Sequence, residues 1–330
     1  MTATNTQKLK VLYLMEIMRT QTDPEHGLTM PQIIERLAER GVTAERKSLY
    51  RDIETLREVG FDIRTLQRQP VQYVLAEREF ELSQLMLLID AVQSSKFLSD
   101  GSSRALVKSI RSMASLQERS ALEKQVHVYG RPKRQDQSDF VVVDKLQDAM
   151  AAKKKVSFKY FRYNAEKKKE YRKGGSRHIV SPVNLTYSDG SYYLVAYSDT
   201  DGEIRNYRVD RMEQVEKLDA PRERNETISS YDADEVAKCV FGMYEGERVM
   251  ATLKVASEVM NVVIDRFGRD VEAKAVSKGA FTKVRVPVKA SPVFYGWLAT
   301  LGADVKVESP KRLRESYLEW LQQIVDSYGA

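Results

Sequence analysis

The chain has 330 residues, 42% hydrophobic and 30% charged, with a formal net charge of +6. That length suggests two or three domains, and that composition suits soluble globular ones. No apolar run approaches the ~18–20 residues of a membrane span, and the opening MTATNTQKLK lacks the apolar core of a signal peptide. One cysteine, Cys239, excludes an internal disulfide. Together with three scattered histidines (His26, His127 and His178), it also argues against a zinc site. The expectation is a cytoplasmic protein with no membrane partner, no metal and no cofactor.

Charge is unevenly placed. Residues 1–75 carry 11 basic and 10 acidic side chains, and residues 76–150 carry 11 of each. Residues 151–218 carry 15 and 9, and residues 219–330 carry 16 and 17. The basic excess therefore lies in 151–218, where it would concentrate polyanions, although a run such as Lys167-Lys168-Lys169 also reads as a solvated face.

In chain order, residues 8–19 place Leu9, Leu12, Tyr13, Met15, Ile17 and Met18 at mostly helical spacing. QTDPEHG breaks this helix. Thr29 then caps a second one with Pro31 in its first turn, Ile33, Ile34 and Leu37 inward, and Gly41 as its terminator. Thr43 is the expected cap of a third helix, in which Leu49, Ile53 and Leu56 form the buried stripe. Arg46, Lys47, Tyr50 and Arg51 lie largely off that stripe, and FDIRTLQRQPVQYVLA follows as a hairpin with Arg64 and Arg68 near its tip. Helix, turn and polar, basic second helix is the arrangement that enters a DNA major groove. A structural three-helix bundle is the rival reading.

SLYRDIETLREVGFDI resembles the helix-to-wing signature of the bacterial DeoR-like winged helix family. The resemblance implies a winged helix-turn-helix over residues 1–77, with Ser48, Tyr50 and Arg51 approaching phosphates or base edges. Asp52, which phosphate would repel, reads as a structural partner. Residues 78–139 read as a helical connector and linker, with Leu85, Leu88, Ile89 and Val92 on one face, an interruption at Asp100-Gly101, and VYGRPKRQDQSD as the linker. The connector either contributes to a homodimer or packs against neighbouring domains.

Val143, Leu146 and Met150 then mark a helix, and short strands with tight turns follow: VSFKYFRY, HIVSPVNLTY, SYYLVAY and IRNYRVDRM. They predict a small, strongly bent antiparallel sheet or barrel. Asp201-Gly202 supplies a tight turn before Arg205, Arg208 and Arg211. Strand alternation puts Arg205, Tyr207 and Val209 on one face and Asn206, Arg208 and Asp210 on the other. All three arginines can reach one pocket only if the strand bulges or ends before Arg211. The face bearing Arg208 is the favoured one, and Asp210–Arg211 is read as a candidate ion pair.

Pro182, Leu185, Gly190, Tyr192-Tyr193-Leu194-Val195-Ala196-Tyr197 and Tyr207-Arg208-Val209-Asp210-Arg211-Met212 resemble the WYL domain, with Tyr192 replacing the tryptophan of its name. That resemblance implies an Sm-like, SH3-type β-barrel over residues 140–219 that senses a ligand, with Tyr160 in the expected strand and either Arg177 or His178 as the basic residue before Pro182. Tyr160, Arg177, His178, Tyr193, Arg205, Tyr207, Arg208 and Arg211 are the expected ligand residues. Arginine forks suit phosphate or carboxylate, and aromatic rings stack bases.

Residues 230–330 alternate helix and strand as a ferredoxin-like sandwich would. Trp297-Leu298, Gly302 and Val307-Glu308-Ser309-Pro310 resemble the extension found after many WYL domains. Phe294, Tyr295 and Trp297 read as core rather than as a stacking platform.

The expected fold is thus a multidomain α+β protein. The expected function is a bacterial, non-enzymatic transcription regulator whose middle domain senses an anionic or nucleic-acid ligand and changes binding to double-stranded operator DNA through a dimer. Single-stranded nucleic acid or a nucleotide-like anion is the expected ligand class. The alternatives are a sequence-nonspecific nucleic-acid-binding accessory protein and an enzyme acting on a phosphorylated substrate. No nucleophile–base pairing, phosphate loop or metal-ligand spacing supports the last.

Overall fold

A computed structural model describes residues 3–123, 139–188, 190–232, 246–276 and 279–329. His127, Cys239 and nearly all of the expected linker lie outside the described residues. The chain divides into two compact units, Met1–Asp139 and Phe140–Ala330. Among the described residues, no helix is long and apolar enough to cross a membrane.

The first unit begins with α1 (Ala3–Gln21), the two-residue β1 (Leu28–Thr29), α2 (Met30–Glu39) and α3 (Arg46–Glu58). A hairpin follows, β2 (Ile63–Leu66) and β3 (Gln72–Leu75), and β1 pairs with β3 to make the sheet β1-β3-β2. Gly27 permits that pairing: a Cβ there would sit 2.8 Å from the Cβ of Gln72. Met30, Ile33 and Leu37 from α2 meet Leu49, Ile53 and Leu56 from α3 in one core. From α1 come Leu14, Ile17 and Met18. The expected apolar face of α1 is therefore rotated: Leu12 is exposed, while Lys10 is buried. Thr29 caps α2, with Gln32 closing a capping box. The cap of α3 is Glu45 rather than Thr43, and no side chain makes the cap hydrogen bond. Gly41, with φ 74°, bends the chain away from α2.

Among the described residues of this unit three further helices follow: α4 (Leu82–Ser94), α5 (Asp100–Arg111) and α6 (Leu116–Glu123). Leu85, Ile89, Val107, Ala114 and Leu122 form their core. Leu88, expected inward, is exposed, as is Leu87. Asp100 and Gly101 do not interrupt the helices. They open α5 behind its cap Ser99, whose side chain accepts from the Ser102 amide.

The second unit starts with α7 (Asp139–Ala151). A six-stranded antiparallel sheet follows: β4 (Lys154–Tyr163), β5 (Lys169–Tyr171), β6 (His178–Ser188), β7 (Ser191–Ser198), β8 (Glu203–Arg208) and β9 (Met212–Pro221). Its order is β5-β4-β6-β7-β8, and β9 returns to pair with β4, which curls the sheet on itself. Register shifts in β4 and β6 add to the bend. Phe158, Tyr160, Phe161, Leu194 and Tyr207 are buried within it. A short helix, α8 (Glu226–Ser229), ends this part.

The last part contains β10 (Arg248–Ala256), α9 (Met260–Phe267), β11 (Glu272–Val276), β12 (Phe281–Lys289), α10 (Pro292–Thr300), β13 (Val305–Ser309) and α11 (Lys311–Ser327). The sheet is antiparallel throughout, in the order β11-β12-β10-β13. Its inward valines and leucine pack against Val263, Phe294, Leu298 and Leu313 from the helices. Trp297 stacks on Phe294 with ring centroids 6.2 Å apart, a core contact as expected.

Candidate functional site

The first candidate surface is α3. With Leu49, Ile53 and Leu56 buried, the helix periodicity leaves Arg46, Lys47, Tyr50 and Arg51 exposed. Arg46 Nε donates to the Tyr50 hydroxyl at 2.8 Å, and its guanidinium lies over the Tyr50 ring. That donor holds the Tyr50 phenol below its usual range. Lys47 and Arg51 make no ion pair among the described residues. Ser48 is half-buried and accepts from Lys10 Nζ at 2.5 Å. Lys10 also pairs with Asp52 at 2.7 Å, both side chains largely shielded from water. One buried lysine thus ties α1 to two positions of α3, and Asp52 is structural. The hairpin arginines differ from one another. Arg64 is exposed and paired with Asp62 at 2.6 Å, whereas Arg68 donates to the Glu25 carbonyl at 2.7 Å and so ties the hairpin back to the loop after α1.

The second candidate is a cluster of rings inside the curled sheet. Register brings Phe158 opposite His178 and Tyr160 opposite Met212. Phe158 and His178 stack with centroids 5.5 Å apart and planes 6° from parallel. Tyr207 meets Phe158, Tyr160 and His178 edge-on at 5.1, 5.4 and 5.7 Å. The His178 Nε2 is buried without a hydrogen-bond partner. Burial, reinforced by the nearby Lys173 and Arg172 charges, lowers the His178 pKa. Burial raises that of Tyr160, against the opposing pull of Arg211 and Arg172. The Tyr160 hydroxyl accepts from the Arg208 amide at 3.1 Å, which fixes where β8 ends. Arg172 also lies over the Tyr160 ring, 5.7 Å from its centroid.

The expected arginines divide sharply. β8 ends at Arg208, and Val209–Arg211 form a 3-10 turn, which takes Arg211 out of the strand alternation and leaves its charge acting on Tyr160. Asp210, read as a candidate partner of Arg211, faces Arg208. It takes the Arg208 fork at 3.0 and 2.9 Å, and Ser191 Oγ accepts a third bond from Arg208 at 3.1 Å. Tyr193, across the strand pair from Arg208, carries the guanidinium over its ring at 5.9 Å. Arg205 pairs with Asp201 at 2.9 Å. Arg177 donates to Ser157 Oγ at 2.9 Å, the Gln214 carbonyl at 2.6 Å and Glu216 at 3.0 Å, clamping β4 to β9. Of Arg177 and His178, it is therefore His178 that joins the ring cluster. Phe158, Arg172 and Lys173 belong to this neighbourhood and were absent from the expected set. The basic excess of 151–218 was visible, but the placing of Arg172 over Tyr160 was not.

A family model for the WYL domain matches residues 141–217, the segment that holds this cluster. A second model, for the WCX domain, matches residues 247–325. The two matches support a regulator of the WYL type. Among curated proteins, none matches the chain. Among solved structures, the proteasome accessory factor B/C (PafBC) of Arthrobacter aurescens is similar at 20% identity over 100% of this chain, with a TM-score of 0.28. The chain spans only 48% of that protein's length. A CRISPR Cas-related protein is similar at 12% identity over 75% of this chain and 71% of its own, with a TM-score of 0.34.

Proposed function

We propose that the chain is a bacterial, cytoplasmic transcription regulator that binds duplex DNA through α3 and the β2–β3 hairpin and senses an anion in its WYL domain. The observation that carries this reading is the coincidence of the WYL match with a ring cluster flanked by Arg172 and Arg211. In this reading the first three helices and the hairpin form a winged helix-turn-helix. Arg46, Lys47 and Arg51 meet phosphates or base edges, with Arg64 at the wing. Arg172, Arg211 and His178 receive the oxygens of a phosphate or carboxylate, and Tyr160 and Tyr207 offer ring edges. Arg208 and Arg177 act as scaffold, because their donors are already engaged. The protein is read as a binder rather than an enzyme.

Exposed Leu87 and Leu88 on α4 support a homodimer in which the two DNA-reading units meet two half-sites. The ligand changes DNA affinity only as far as it binds one arrangement of the dimer better than another. The test is binding to the protein's own upstream DNA against random duplex at fixed salt. A specific preference that Arg51→Ala abolishes is expected. Arg172→Ala with Arg211→Ala is expected to keep basal binding and to remove the response to added nucleotide. Equal affinity for both duplexes would sink the operator-specific reading in favour of a nonspecific nucleic-acid binder.

A further inference from the structure

The four-stranded C-terminal sheet covers one face with helices and leaves the other open. Ala251, Leu253 and Val255 of β10, with Val284, Val286 and Val288 of β12, face the helices. The residues between them face outward, by the two-residue period of a strand. Register sets Lys274 of β11 opposite Lys283 of β12, Lys283 opposite Lys254 of β10, and Lys254 opposite Lys306 of β13. In the order β11-β12-β10-β13, four lysines therefore stand in one row across the whole sheet. At ~4.8 Å between strands the row is roughly 14 Å long.

Like charges directly opposite one another destabilise a sheet, and this row has three such pairs in succession. Neutralisation is sparse. Lys283 pairs with Glu308 at 2.7 Å, and its side chain remains 45% exposed. Lys254 lies over the Phe281 ring at 4.3 Å instead of on a carboxylate. Lys274 and Lys306 are exposed and make no ion pair among the described residues. The next row along the strands is apolar: Val276 opposite Phe281, and Phe281 opposite Ala256. There a recess of about 410 Å³ opens, walled by Lys254, Lys306 and Phe281 and also by the carboxylates Glu258 and Asp304.

We propose that this open face binds single-stranded nucleic acid, with phosphates along the lysine row and a base against the apolar row at Phe281. A cationic row beside an apolar row matches the two edges of a single strand, and a cationic track beside aromatic side chains is a general way of holding one. Four-stranded sheets that stack bases on aromatics use the same geometry. Duplex DNA suits the face poorly, because its major groove, roughly 12 Å wide, admits a helix or a two-stranded ribbon. The site is separate from the ring cluster and does not depend on the sensor reading.

The test uses the full chain carrying Arg172→Ala and Arg211→Ala, so that the proposed sensor site is disabled, and follows fluorescein-labelled (dT)12 by anisotropy across a salt series. Binding should persist in that background. Adding Lys274→Ala and Lys306→Ala should weaken it at least tenfold and lower the log–log salt slope by about 1.4, at ~0.7 per lost single-strand phosphate contact. Lys274→Arg with Lys306→Arg should retain it. Phe281→Ala should weaken (dT)12 several-fold while leaving competition by inorganic polyphosphate unchanged. Three results would overturn the proposal: no binding in the background, an unchanged affinity and slope in the double alanine variant, or polyphosphate competing as well as unlabelled (dT)12 of equal charge.

Discussion

In the middle sheet Arg205 pairs with Asp201, Arg208 with Asp210, Arg177 with Glu216, and Lys155 with both Asp199 and Glu223. In the C-terminal sheet Lys274, Lys283, Lys254 and Lys306 share, among the described residues, a single paired carboxylate, that of Glu308. Residues 151–218 hold the chain's basic excess, 15 against 9, whereas residues 219–330 carry 16 basic and 17 acidic side chains. Counting charge along the chain therefore points to the first sheet, and the pairing points also to the second. The curled sheet brings its strands around until cations meet carboxylates. The open sheet has a bare face on which outward lysines align by register. What a polyanion meets is the unpaired charge on an exposed face, not the segment's net charge.

The strongest way to break the contrast is to remove what seats the middle cations. Phe158 is fully buried under His178 and Tyr207. Phe158→Ala should cost about 3–5 kcal/mol in denaturant unfolding, the usual range for a buried phenylalanine. It should also let water reach His178 and raise its pKa, a shift that NMR titration would read. Next in size is Asp210→Ala, which strands the Arg208 fork. The Arg208 side chain is 32% exposed and that of Asp210 14%, so solvent offsets part of the loss. About 1–3 kcal/mol is expected, below the range for a fully buried pair. No measurable change would mean that the fork is not a scaffold and would return Arg208 to the list of ligand residues.

His178 adds a pH signature to the middle sheet. Its pKa is lowered in the folded protein by burial and by Lys173 and Arg172, so near pH 6.5 the unfolded chain binds more protons than the folded one. Stability should therefore rise with pH from the folded pKa up to about 6.5, the ordinary histidine value, and level off above it. His178→Phe should flatten that rise. An anion bound at Nε2 would favour the protonated ring, so ligand affinity should strengthen as pH falls through the same window. An affinity independent of pH between 5 and 7.5 would remove His178 from the binding role.

Local chemistry was legible in the sequence where a few neighbouring residues decide it. The Thr29 cap, the Gly41 terminator, the Leu49–Ile53–Leu56 stripe and the Asp201-Gly202 turn are all set by contacts within one or two turns of chain. The pairing partners were not legible. Asp210 sits beside Arg211 in sequence, yet the 3-10 turn presents it to Arg208. Leu12 fits a helical period, but the face of α1 that meets α3 is set by the buried Lys10–Asp52 pair. The lysine row was hidden for the same reason. Its members lie in four separate strands, and only cross-strand register aligns them.

The smallest expected effect bears directly on that row. Lys306 is opposite Lys254 on the edge strand and is exposed. Lys306→Glu replaces a like-charge cross-strand pair with an opposite one, so thermal unfolding should show a gain of about 0.2–1 kcal/mol rather than a loss. The same change should weaken (dT)12. A side chain kept only for folding would not be improved by charge reversal, whereas one kept for an external anion sets stability against binding. Stabilisation together with weaker binding is the expected pair of results. A destabilised Lys306→Glu variant would mean that the row is neutralised within the folded chain, and the contrast between the two sheets would then fail.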